Sequence, residues 1–108
     1  MISSTVFAQR LKQARLRAGL TQMQLGVVAR IDEYSASARV NQYERGKHWP
    51  DFGTAERLAE ATNVPAPYFY ARDETLADLL LIWRQLDQVD RDALVSLARS
   101  RFKSLDEG

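Results

Sequence analysis

The sequence predicts an all-α fold. Three observations lead there. Apolar residues recur at helical spacing in stretch after stretch. Residues that start and stop helices bracket those stretches. Neither an alternating strand pattern nor a hairpin signal interrupts them. The 108 residues suit one domain, or one domain with a short appendage.

The elements follow in order. Phe7, Leu11, Ala14 and Ala18 line the first helix, and Gly19 stops it by taking the left-handed conformation. Thr21 with Gln24 is a capping box, in which each residue satisfies a backbone N–H of the other. It opens a second helix with Leu25, Val28 and Ala29 inward. The polar stretch IDEYSAS, residues 31–37, is a turn. The third helix runs from about Ser37 to Arg45, with Ala36, Val40 and Tyr43 inward and Gly46 as its stop. Asp51 caps a fourth helix carrying Ala55, Leu58, Ala59 and Thr62, closed by Asn63. The segment VPAPYFY, residues 64–70, forms a short fifth helix that plugs the core. Composition and charge then change at ARDE, residues 71–74. Asp73 caps a sixth helix with a stripe of Leu76, Leu79, Leu80, Trp83 and Leu86. Asp90 caps a seventh, with Leu94, Leu97, Ala98, Phe102 and Leu105 inward. The chain divides into residues 1–72, with a core of their own, and residues 73–108.

Composition narrows the function. Apolar residues make up 45%, enough for a core, and there is no cysteine, so disulfides and thiolate zinc sites are excluded. No apolar run is long enough to span a membrane, and the N-terminus lacks the order of a signal peptide. A cytoplasmic protein is the expectation. The net charge of +1 hides an asymmetry: residues 1–72 carry ten Lys/Arg against six Asp/Glu, and residues 73–108 carry five against eight. Only the first part suits a polyanion. No phosphate-binding loop, metal cluster or nucleophile–histidine pair occurs. The expectation is therefore no enzyme, no cofactor, no metal and no small-molecule ligand. The carboxylates Asp73, Glu74, Asp87 and Asp90 sit at helix ends and read as caps.

Two helices joined by a tight turn form a helix-turn-helix, whose second helix fits the DNA major groove. With Ala36, Val40 and Tyr43 inward, the third helix turns out Ala38, Asn41, Gln42 and Arg45, with Ser37 and Arg39 on the flanks. Amides pair two-fold with adenine, and arginines pair with guanine or phosphate. Taken alone, Asn and Gln on a helix face solvent in most proteins. Arg15 and Glu44 both lie half-turned inward, and a buried charge without a partner is costly, so they are expected to pair. His48 is expected in solvent beside Lys47, and Trp49 is expected as a lid on the core.

Motifs sharpen this. RLKQARLRAGLTQMQLG, RVNQYERGK and PDFGTAERLAEATNVP together resemble Cro/repressor-type (XRE family) helix-turn-helix regulators, over residues 7 to about 71. The resemblance implies a five-helix repressor-like DNA-binding domain, here with a C-terminal two-helix appendage. It implies operator binding as a dimer, and repression or, in some members, activation of transcription. Thr21, Gln22, Arg45 and Lys47 would contact phosphates. Ser37, Ala38, Arg39, Asn41 and Gln42 would face bases. Arg15–Glu44 would be a structural ion pair, also a feature of the family. Two departures stand out. The stretch from Thr21 to Gly46 exceeds the family norm by about four residues, in a turn that tolerates extra length. Arg30 also replaces the small residue usual before that turn. Leu79, Leu80, Ile82, Trp83 and Leu86 offer more apolar surface than a small domain buries, and are expected to form a homodimer interface. Two alternatives stay open. One is an antitoxin-type regulator that also binds a partner protein. The other is a protein-interaction module without DNA binding, against which Arg39, Arg45 and Lys47 argue.

Overall fold

The computed structural model describes residues 2–107, with side chains described from 6 to 105. Six α-helices follow in order: α1 Ile2–Arg17, α2 Gln22–Val28, α3 Ala36–Glu44, α4 Phe52–Ala61, α5 Glu74–Gln85 and α6 Gln88–Glu107. No strand occurs among the described residues. The VPAPYFY segment is a 3₁₀ helix, Ala66–Tyr70, and not a further α-helix. Its turns close by three-residue bonds, from the Tyr68 N–H to the Pro65 carbonyl at 3.0 Å and from the Ala71 N–H to the Tyr68 carbonyl at 3.2 Å.

Helices α1 to α4 close alike. The residue past each cap is left-handed: Gly19 at φ 73°, Arg30 at 64°, Gly46 at 71° and Asn63 at 58°. The next N–H then donates back into the last turn: Leu20 to the Arg15 carbonyl (3.1 Å), Ile31 to Gly26 (2.8 Å), Lys47 to Gln42 (3.0 Å) and Val64 to Ala59 (3.0 Å). This satisfies carbonyls that the helix ends leave unpaired. It also drops Leu20, Ile31 and Val64 onto the core. The helix starts at Thr21, Asp51 and Asp73 are capped as the sequence predicts. At α6 the cap is Asp87, not Asp90: the Asp90 N–H donates to Asp87 Oδ1 at 2.9 Å.

One core joins α1, α2, α3, α4 and the 3₁₀ helix. Its largest fully buried side chains are Leu11, Leu25, Val40, Leu58 and Phe69. Ala18 lies past the end of α1 and is exposed. Val28 is also exposed; the inward face of α2 is Leu25, Gly26 and Ala29. Gly26 is there because α3 crosses over it: a Cβ would come within 2.6 Å of Ala36 Cβ and 2.9 Å of Ala36 Cα.

The junction with the second part is firmly tied. Arg10 is only 5% exposed. Its guanidinium donates to the Ala71 carbonyl at 2.8 Å and the Arg72 carbonyl at 3.2 Å, and pairs with Glu74 at 3.3 Å. It also lies over the Tyr68 ring, 5.6 Å from the centroid. Ala77 of α5 is 1% exposed within the same core, and Leu80 and Leu81 pack against it. Helix α5 therefore shares the core of residues 1–72. Of the expected inward face of α6, Leu94 is half-buried, whereas Leu97, Ala98, Phe102 and Leu105 are exposed. The molecule is correspondingly elongated, 56 × 31 × 21 Å.

Two stability changes follow. Gly26→Ala gains about 1 kcal/mol of helix propensity. It forces a contact with backbone that overpacking prices at about 1–3 kcal/mol or more, so the midpoint of thermal unfolding should fall. Removing the Ala36 methyl as well should rescue it only in part, because Ala36 Cα and O remain in the way. Arg30→Gly should do the opposite. A left-handed non-glycine residue costs about 1–2 kcal/mol, partly offset by the freer unfolded chain, so a rise in the denaturation midpoint is expected.

Candidate nucleic-acid interface

Helix α3 begins one residue earlier than its sequence suggests, with Ser35 at the N-cap position. The longer turn is built locally. Asp32 Oδ1 accepts from the Tyr34 N–H at 3.0 Å, and the Asp32 carbonyl accepts from the Ser35 N–H at 2.9 Å. The extra residues project outward with Tyr34 exposed, so they lengthen the turn without moving Ala36, Val40 and Tyr43 from the core. Ser37, Ala38, Arg39, Arg45 and Lys47 are exposed, and Asn41 and Gln42 are half-buried. All five predicted base-facing residues thus lie on one helix, off its core face.

The expected ion pair is formed. Arg15 Nε donates to Glu44 Oε2 at 2.6 Å, and Arg15 Nη2 to Glu44 Oε1 at 3.0 Å. The Glu44 side chain is 4% exposed. Hydrogen bonding to Glu44 raises the Arg15 pKa above its ordinary value, outweighing the opposite effect of burial, so the guanidinium stays charged. Its third bond, Nη1 to the Leu20 carbonyl at 2.9 Å, secures the turn into α2.

The network reaches the outer face. Gln22 Nε2 donates to Glu44 Oε1 and to Asn41 Oδ1, both at 3.2 Å. The amide orientation follows from Glu44, which can only accept. Gln22, expected at a phosphate, is therefore also the partner that orients Asn41. The sequence reading missed this link, because Gln22 and Asn41 stand on different helices and only the crossing at Gly26 brings them together. It also missed Arg57, whose Nε donates to the Ala29 carbonyl at 2.8 Å and closes α2.

The loop after α3 completes the surface. Lys47 and His48 are exposed. Trp49 is 62% exposed and is not the expected lid on the core. A polar groove beside α3 is lined by Arg39, Gln42, Tyr43, His48 and Trp49. Of the predicted interface residues in the second part, Leu80 faces the core and Trp83 and Leu86 are half-buried, whereas Leu79 and Ile82 are exposed. No cluster of His, Cys, Asp and Glu that could hold a metal occurs among the described residues. No helix among them is long and apolar enough to cross a membrane.

Comparison with known proteins agrees with this geometry. The helix-turn-helix domain family matches residues 6–67. The crystal structure of the transcriptional regulator BswR aligns with a TM-score of 0.79 at 43% sequence identity, covering 86% of this chain and 92% of that one. No curated protein matches. The family match spans more than half of the chain and takes in every residue of the α3 face: this chain belongs to the helix-turn-helix domain family.

Proposed function

We propose that this chain is a sequence-specific transcriptional regulator, a repressor that binds operator DNA as a homodimer with α3 in the major groove. One observation carries the reading. The Arg15–Glu44–Gln22–Asn41 network holds the α3 face rigidly to α2, and around that face stand Arg39, Arg45 and Lys47. A face prepared in this way loses little freedom on binding. The likeness to a protein described as a transcriptional regulator supports the same reading. In it, Gln42 and Asn41 read base edges, with Ser37, Ala38 and Arg39 beside them. Thr21, Gln22, Arg45 and Lys47 face phosphates. Two such helices must be presented about one helical turn of DNA apart, and residues 73–108 supply the pairing, with Leu79, Ile82, Trp83 and Leu86 on its surface.

Salt provides the first test. Arg45 and Lys47 from two copies give four phosphate-neutralising cations, and each contributes about −0.9 to the slope of log K against log salt. A slope of about −3.6 or steeper is expected for operator DNA chosen from a random pool. Affinity that does not change between low and physiological salt would sink the reading.

A second test separates positioning from reading. Gln42→Ala should cost about 1–3 kcal/mol on the selected operator and little on random sequence. Gln22→Ala should weaken both DNAs and, by releasing Asn41, also lower the operator-to-random ratio by a smaller factor. The measurement is that ratio at one salt concentration. An unchanged ratio for Gln42→Ala would move base reading to the start of α3.

A further inference from the structure

Helix α6 runs to Glu107, and its described residues from 96 onward are all exposed. Phe102 is 70% exposed and Leu105 is 81% exposed. A helix gains most of its stability in water by packing an apolar face, and among the described residues this half of α6 buries no apolar side chain. Helix α5 presents the converse. Ala77, Leu80 and Leu81 turn one side to the core. The other side carries Leu76, Leu79 and Ile82, all exposed, with Ile82 at 54%.

The two surfaces are opposite in charge. Residues 73–87 hold four acids against Arg84; Asp73 and Asp87 cap helices and Glu74 pairs with Arg10, so the acid that stands with the outer apolar side chains is Asp78, four residues before Ile82. The exposed half of α6 holds Arg99, Arg101 and Lys103 around Phe102, and its two acids, Asp106 and Glu107, come only at its last residues. The corner between the helices is fixed, so α6 cannot fold back onto its own α5. Arg91 Nε donates to the Trp83 carbonyl at 3.0 Å, and its guanidinium lies over the Trp83 ring, 5.3 Å from the centroid.

We infer that α6 is an exchanged arm: its basic stretch around Phe102 packs across the apolar outer face of α5, beside Asp78, in a second copy of this chain. The contact is reciprocal, as a two-fold dimer requires, so each copy gives one arm and receives one. Apolar contact supplies the attraction, and the opposite charges set which surface meets which. This rests on the proposed dimer and names its partner surfaces. It adds Phe102 and Leu105 of α6 to the interface residues 79–86 that the sequence names within the appendage 73–108.

The test is sedimentation equilibrium of the full chain without DNA, with helicity followed by circular dichroism. The wild type is expected as a dimer. Phe102→Asp with Leu105→Asp changes two exposed positions, so it should yield monomer with the core of α1 to α5 still folded, and helicity should fall only by what the end of α6 contributes. Arg99→Glu, Arg101→Glu and Lys103→Glu together should raise the dimer dissociation constant about tenfold or more, and adding Asp78→Lys to that variant should recover part of the loss. The proposal is overturned by a monomeric wild type. It is overturned equally if the Phe102/Leu105 variant stays dimeric, or if Asp78→Lys fails to recover the charge-reversed arm. Titration with a DNA half-site is a separate readout. A monomer that still binds it removes only the arm exchange, and a dimer that ignores DNA removes only the DNA-binding reading.

Discussion

Three helices depend on one guanidinium. Arg15 stands in the last turn of α1, and its donors reach the Leu20 carbonyl in the turn to α2 and both oxygens of Glu44 at the end of α3. Removing one partner of a buried pair costs about 3–5 kcal/mol, because the other charge is left uncompensated. Here the loss would go beyond stability. Glu44 also accepts from Gln22, which in turn holds Asn41, so the pair lies behind the outer face of α3 as well as beneath it. The pair can close only because Gly26 lets α3 lie against α2. Packing and polar geometry thus depend on each other.

The arginines of this chain follow a common pattern. Arg10 donates to the carbonyls of Ala71 and Arg72, past the end of the 3₁₀ helix. Arg57 donates to Ala29, at the end of α2, and Arg91 to Trp83 and Arg84, at the end of α5. Each places a cation where a helix leaves unpaired carbonyls and the negative end of its dipole. This changes how the charge asymmetry is read. Of the ten cations in residues 1–72, Arg10, Arg15 and Arg57 are committed inside the protein. In the proposed complex, affinity for a polyanion comes from where Arg39, Arg45 and Lys47 stand more than from the total.

Most of the fold was legible because its signals are local. The stops at Gly19, Gly46 and Asn63 and the caps at Thr21, Asp51 and Asp73 need only neighbouring residues to be recognised, and all stand in the structure. The Arg15–Glu44 pair was legible from helical angle plus the cost of a lone buried charge. What the sequence hid depends on crossings between helices. Val28 carries an inward spacing yet is exposed, because the tight crossing puts Gly26 at the contact instead. Ala77 is too small to mark a core face, so the stripe read on α5 was its outer side with only Leu80 turned inward. The inward reading of Leu97, Phe102 and Leu105 assumed that an apolar stripe is covered by its own chain. Periodicity gives the direction of a face and not what covers it.

The junction decides whether two recognition helices can act together. A linker that swings freely would let each α3 find the major groove independently and gain only the effective concentration of a tether. This junction does not swing freely. Arg10 binds the carbonyls on either side of the Ala71–Arg72 peptide, Ala77 is sealed in the core, and Arg91 fixes the corner into α6. From the 3₁₀ helix to the start of α6, the connections are therefore backed by burial or by a hydrogen-bonded arginine. In the proposed dimer, that chain of contacts converts the pairing of two appendages into a set distance between two α3 faces. The spacing of half-sites is then a property of the protein's packing, and it is selected alongside the bases that Asn41 and Gln42 face.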